Sequence, residues 1–162
     1  MTDGQDVPRT PEGAAVTEVR SLVRDLAVAV DGSPASLEGL RLAADIARRT
    51  GASVTVVHVR HAPALEEAGA DAGAVSLEET LAGVERAARR DSAAILDEAP
   101  ASWRFVVRSG SPGHEIIEAA AELGVDLIIV GSKPHSTLHN LVLGSTSQYL
   151  VAHSPVNVLV AR

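Results

Sequence analysis

Apolar residues in this chain fall into two alternating arrangements. The first is a set of short, aliphatic runs: Leu26-Ala27-Val28-Ala29-Val30, Val54 to Val59, Trp103 to Arg108, Leu127 to Val130, and Val156 to Val160. Each is only a few residues long, most are rich in β-branched side chains, and Gly, Pro or polar residues bound them. They therefore read as strands, mostly buried on both faces. The second arrangement is a stripe at helical spacing. Leu37, Leu40, Ala43, Ala44 and Ala47 form one between Pro34 and about Thr50. Leu77, Leu81, Val84, Ala88 and Ile95 form another, running to about Ala99. Ile116, Ile117 and Ala120 mark a third over Pro112 to Leu123, and a last helix is predicted from Ser145 to Ala152.

The punctuation agrees with this reading. Ser33-Pro34 and Ser111-Pro112 both pair a good N-cap with proline at the first helical position. Ser76 with Glu79 makes a capping box for the second helix. Gly51 and Gly124 stand where helices need a left-handed residue to stop. His61 to Val75 is the longest irregular internal stretch. It reads either as a flap over a site or as plain surface loop.

Strands alternating with helices require parallel pairing, right-handed crossovers and helices on both faces. The expected fold is a doubly wound α/β sheet of five parallel strands, occupying residues 21–162. Residues 1–20 carry Pro8, Pro11 and scattered charges without periodicity, and read as a disordered N-terminal arm. In such sheets ligands bind beyond the carboxyl ends of the strands, where strand order reverses.

Composition narrows the function. The chain has 162 residues, enough for one domain with a real core, and is 46% hydrophobic with only Trp103, Phe105 and Tyr149 as aromatics. Closely packed Ala, Val, Leu and Ile must build that core. With no cysteine, disulfides, thiolate metal sites and thiol catalysis are excluded. A net charge of −7 argues against general nucleic-acid or anionic-membrane binding. No apolar run approaches the roughly 20 residues that span a bilayer. The polar N-terminus has no apolar signal core, so a cytoplasmic location is expected.

The candidate chemistry gathers at two strand ends. Val125 to Thr146 reads as a buried strand, then Gly131, a polar loop from Ser132 to Asn140, and Gly144-Ser145-Thr146 before a helix. Glycines let backbone approach a phosphate, and helix N-terminal N–H groups and hydroxyls donate to it. Asp31, at the end of the first strand, could accept from ribose hydroxyls; its alternative role is to hold the turn at Gly32. His135 and His139 are four apart, but Pro134 and the Ser-Thr content oppose a continuous helix there, and no third ligand is evident. No protein metal site is expected. His58, among valines, reads as a satisfied core histidine. No P-loop, G-x-G-x-x-G or G-x-S-x-G occurs, so no catalytic residue is nominated.

The ordered set of motifs resembles the universal stress protein family. Val28 through Ser36 is similar to that family's opening strand and turn, and Val57-His58-Val59 to its second strand. Gly131 to Ser145 resembles its nucleotide motif, G-x-x-G, nine residues, then G-[S/T]. His153-Ser154-Pro155-Val156 into Val158-Leu159-Val160 is similar to its ending. The resemblance implies strand order 3-2-1-4-5, as in flavodoxin-like or adenine nucleotide α-hydrolase-like three-layer sandwiches. It implies ATP, with Mg²⁺ carried on the phosphates, bound between strands 1 and 4. Ala29, Val30, Val59 and Val130 would then line the base pocket, Asp31 would meet the ribose, and Gly131, Ser132, Lys133, Gly144, Ser145 and Thr146 would surround the phosphates. It also implies a homodimer, paired through residues 156–160, that serves an unknown protein partner as a nucleotide-dependent stress switch.

One position departs from the motif. Pro134 stands where the second glycine belongs; it has no N–H and cannot take a left-handed conformation. Losing one charge-assisted bond costs roughly 1.5–3 kcal/mol, about ten- to a hundredfold in affinity. The alternative reading is thus a dimeric interaction module without nucleotide. A nucleotide α-hydrolase would need a Ser-Gly-Gly-x-Asp-Ser type loop after strand one, and Asp31-Gly32-Ser33-Pro34 is not that.

Overall fold

The computed structural model describes residues 23–61, 74–132 and 143–162. The predicted arm, the greater part of the 61–75 stretch, and Lys133, Pro134, His135 and His139 lie outside the described residues. In chain order the elements are β1 (Asp25–Ala29), α1 (Pro34–Thr50), β2 (Ser53–Arg60), α2 (Ala74–Leu96), β3 (Trp103–Ser109), α3 (Pro112–Leu123), β4 (Leu127–Gly131), α4 (Ser145–His153) and β5 (Asn157–Ala161). All pairings are parallel, and the sheet order is β3-β2-β1-β4-β5, as expected.

Alternation along each strand divides the core into two layers. Leu26 and Val28 of β1, Val54 and Val56 of β2, and Ile129 of β4 point to one face. There they meet Leu40, Ala43 and Ala47 of α1 and Ala88 and Leu96 of α2. Ala27, Ala29, Val57 and Ile128 point to the other, under Ile116, Ala119 and Ala120 of α3 and Leu150 of α4. Alanine recurs at the contacts because a small side chain lets a helix lie close on a sheet. Each fully buried Leu or Ile contributes about 1.5–3 kcal/mol of transfer free energy.

Local signals account for the helix ends. Ser33 caps α1, its side chain accepting from Ser36 N, and Pro34 holds the first turn. Gly51 and Gly124 are left-handed, as required at these stops. Helix α2 differs from expectation: it begins at Ala74, upstream of the Ser76–Glu79 box, and ends at Leu96 rather than about Ala99. Its buried face is Ala88, Ser92 and Leu96, and the Ser92 hydroxyl donates to Ala88 O at 2.7 Å. That bond lets a polar residue sit in the core. Val84, predicted on the apolar stripe, is instead 41% exposed.

The β1–β4 pairing fixes the geometry that matters for function. Leu26, Ala27 and Val28 lie beside Leu127, Ile128 and Ile129. The turn after β1 and the exit of β4 are therefore neighbours at the carboxyl edge. Chain order reverses between these two strands, the topological switch point of the sheet.

Candidate functional site

A cleft of ≈ 590 Å³ opens at this switch point. Ala29, Val30, Val57, Val59, Val130 and Ile116 give it an apolar floor. The rim carries Asp31, Ser33, Ser36, Ser111, Gly144, Ser145 and Thr146. A volume of this size is in the range of small-molecule sites.

Three helices begin at this rim. Ser33 caps α1, Ser111 precedes α3, and Gly144 precedes α4. In α4 the first intrahelical bond runs from Gln148 N to Gly144 O at 2.9 Å. The N–H groups of residues 145–147 precede it in the first turn, and these three residues line the cleft. Helix N-termini carry partial positive charge, so three of them around one opening favour an anion.

The turn bearing Asp31 is tightly specified. Asp31 Oδ1 accepts from Ser33 N at 2.9 Å, while Asp31 N donates to Ser36 Oγ at 3.3 Å. Ser36 Oγ in turn donates to Ser33 O at 2.9 Å. The turn-holding role considered for Asp31 is thus real, and it leaves the residue exposed on the rim of the cleft.

Across the cleft, Gly131 ends β4 directly beneath the first turn of α1. Its carbonyl accepts from the hydroxyl of Ser147, buried in the first turn of α4, at 3.0 Å. One glycine therefore joins the β4 end to two helix starts. On the far wall, the Tyr149 ring lies over Gly113 and stacks on His153, with centroids 4.3 Å apart. Arg60 is the cation among the lining residues. Its guanidinium is hydrogen-bonded to Glu78, and its Nε lies 3.8 Å from Glu85 Oε2. The Glu78 bond is the largest influence on it and, against the opposing effect of burial, raises its pKa above the ordinary arginine value. His61 Nδ1–H donates to Gly110 O at 3.1 Å.

Of the sequence-predicted residues, Ala29, Val30, Asp31, Val59, Val130, Gly131, Gly144, Ser145 and Thr146 all line this one cleft. Ser132 does not line it; its N–H continues the sheet by donating to Ala161 O at 2.8 Å. Lys133 lies outside the described residues. Sequence reasoning missed His58, Arg60, His61, Leu81, Val84, Ser111, Pro112, Gly113 and Tyr149 as lining residues. A signal for Ser111-Pro112 was present: it repeats the Ser33-Pro34 pattern, and every helix that follows a strand in this fold starts at the carboxyl edge. Among the described residues, no group of three His, Asp or Glu gathers as a metal site. Nor, among them, is any helix long and apolar enough to cross a membrane.

Fold and cleft together define a doubly wound α/β protein with an open cleft at its switch point. The profile of the universal stress protein family matches residues 23–162, and the chain belongs to that family. It is 28% identical over 142 residues to the universal stress protein YxiE of Bacillus subtilis, covering 83% of this chain and 96% of the relative. The solved structure of universal stress protein UspA from Lactobacillus plantarum superposes with a TM-score of 0.73 at 28% identity, covering 86% of this chain and 98% of that one. A universal stress protein solved in complex with cAMP shares the fold, with a TM-score of 0.67 at 23% identity over 87% of this chain and 98% of that chain.

Proposed function

We propose that this chain is a cytoplasmic universal stress protein that binds ATP, with Mg²⁺ on its phosphates, and acts as a nucleotide-dependent stress-response switch. The observation that carries the reading is the convergence of the Asp31 turn and the Gly131 exit on one cleft rimmed by three helix starts. An adenine fits the floor formed by Ala29, Val57, Val59 and Val130. Asp31 faces the ribose hydroxyls. The phosphates lie toward Gly144, Ser145 and Thr146, where the α4 N–H groups meet anionic oxygens without a desolvated cation. That a family neighbour holds an adenine nucleotide supports the same class of ligand. Ser132 and Lys133 belong to the proposed phosphate side.

Among the described residues, none is nominated to orient a water for hydrolysis, and the reading rests on binding. Binding alone supplies the switch, because a ligand shifts any equilibrium in which it favours one state. The outer edge of β5, at residues 156–160, is the proposed dimer seam. It has no strand beyond it in the described chain, and Val158, Leu159 and Val160 are only half-buried.

Calorimetry with ATP and Mg²⁺ tests the reading. Saturable binding at one site per chain is expected, and absence of heat at millimolar nucleotide would overturn it. Pro134 in the phosphate motif favours one second reading, a dimeric interaction module without nucleotide. Dimerisation with no nucleotide binding would be its signature.

A further inference from the structure

Helix α2 is anchored along only half its length. Ala88, Ser92 and Leu96 are buried, whereas no residue from Leu77 to Ala87 is. Leu77, Leu81 and Val84 pack on neither core layer, and Leu81 and Val84 line the cleft instead. Apolar anchoring therefore stops at Ala88. Next to it Arg89 covers the Phe105 ring of β3, its guanidinium carbon 4.3 Å from the centroid. Upstream of that point ion pairs take over. Arg60, the last residue of β2, is hydrogen-bonded to Glu78, and its Nε lies 3.8 Å from Glu85 Oε2. Glu78 and Glu85 are two helical turns apart on one face, so a single guanidinium spans both. Leu81 and Val84 lie between them in the chain. Gly83 falls in the same stretch. A methyl group there would meet only the tip of Arg86, at 3.9 Å, so packing does not require glycine, and glycine inside a helix loosens it.

We propose that Leu77 to Ala87 is a hinged wall of the cleft, pivoting at Ala88 and latched by Arg60 against Glu78 and Glu85. Opening carries Leu81 and Val84 away from the cleft and lets a ligand enter or leave. Closing restores the apolar wall. The latch is weak enough to be reversible. The Glu78 side chain is 66% exposed, so water and salt compete for its charge. Arg60 and Glu85 are only 24% and 26% exposed, so their contact is less screened and sets the closed position. Loss of both pairs raises the open population about two- to fivefold. The effect on ATP rests on the reading of the cleft as a nucleotide site; the hinge does not.

The chain has no cysteine, so paired spin labels report the wall directly. Labels at Glu79→Cys and Glu118→Cys, both exposed positions, span the first half of α2 and helix α3. Labels at Arg90→Cys and Glu118→Cys span the anchored half. The Glu78→Gln/Glu85→Gln variant leaves every cleft-lining side chain in place. In it the distances of the first pair spread to longer values, and those of the second pair do not. Molar salt broadens the first pair in the native chain and has little further effect in the variant. Gly83→Ala narrows it. Stopped-flow mixing with a fluorescent ATP analogue and Mg²⁺ gives entry and release rates. Both rise about two- to fivefold in the Gln variant, with the dissociation constant within about twofold of native, because a gate changes both rates alike. Unchanged first-pair distances in the variant, or equal spreading of both pairs, overturn the hinge. A wall that moves with unchanged nucleotide rates overturns its gating role. A native chain that binds no ATP removes the nucleotide reading, and the label distances still decide the wall.

Discussion

A methyl group added to Gly131 would stand 2.2 Å from the carbonyl oxygen of Ala35 and 2.7 Å from the backbone nitrogen of Ser36. The obstacle is helix backbone, which cannot rotate aside as a side chain can. Gly131 is therefore required by the approach of α1 to the β4 end, whatever the cleft holds. The sequence motif assigns this glycine to a phosphate, but the fold needs it first. Gly131→Ala is expected to destabilise the nucleotide-free protein by about 1–3 kcal/mol or more, as overpacking does. Urea unfolding without nucleotide measures this. An unchanged midpoint would leave ligand approach as the reason for the glycine.

Ser147 holds the same strand end from the other side. Ser147→Ala leaves the Gly131 carbonyl without the hydroxyl it accepts from, in a site where Ser147 is 2% exposed. A loss of about 1–2 kcal/mol in unfolding free energy is expected. Because that bond also fixes the start of α4 against β4, ATP affinity should fall with it.

The two roles of Asp31 can be pulled apart. Asp31→Asn keeps a side-chain oxygen for Ser33 N and removes the negative charge proposed to meet the ribose. Asp31→Ala removes both. Stability of the Asn variant is expected within about 0.5 kcal/mol of native, with the Ala variant about 1 kcal/mol lower. ATP binding should weaken about tenfold or more in both. Thermal unfolding and calorimetry on the pair check this, and an Asn variant binding ATP as well as native would confine Asp31 to the turn.

Pro134 offers a gain-of-function test. Restoring the motif glycine by Pro134→Gly returns a backbone donor and a left-handed option to the loop. Affinity for ATP should rise about ten- to a hundredfold. Equal affinities would show that the native loop already reaches the phosphates by another route.

Much of the architecture was legible because the relevant signals are local. Buried parallel strands are continuous aliphatic runs, and Ser33-Pro34, Gly51 and Gly124 mark helix ends through their own backbone preferences. The convergence of Asp31 with Gly131 and Gly144 was legible only with the strand order in hand. What stayed hidden depends on partners distant in sequence. Leu81 and Val84 repeat at helical spacing, yet they wall the cleft instead of entering the core, because α2 is buried through Ala88, Ser92 and Leu96. Ser92 was unreadable as a core residue, since a hydroxyl bonded to its own helix leaves no trace in an apolar pattern. Gly113 gave no sign that Tyr149 covers it, and His58 satisfied the expectation of a bonded core histidine while also reaching the cleft.

The single tyrosine and the single tryptophan sit on different elements, Tyr149 on α4 and Trp103 at the start of β3. Tyr149 lies over Gly113 on the cleft wall, whereas Trp103 opens β3 at the far edge, its indole N–H donating to Asp97 Oδ1 at 2.8 Å. The molecule thus carries two aromatic groups in separate surroundings. Indole emission, excited beyond the phenol band, tracks whether the chain is folded, and Tyr149 is placed where it would feel what fills the crevice.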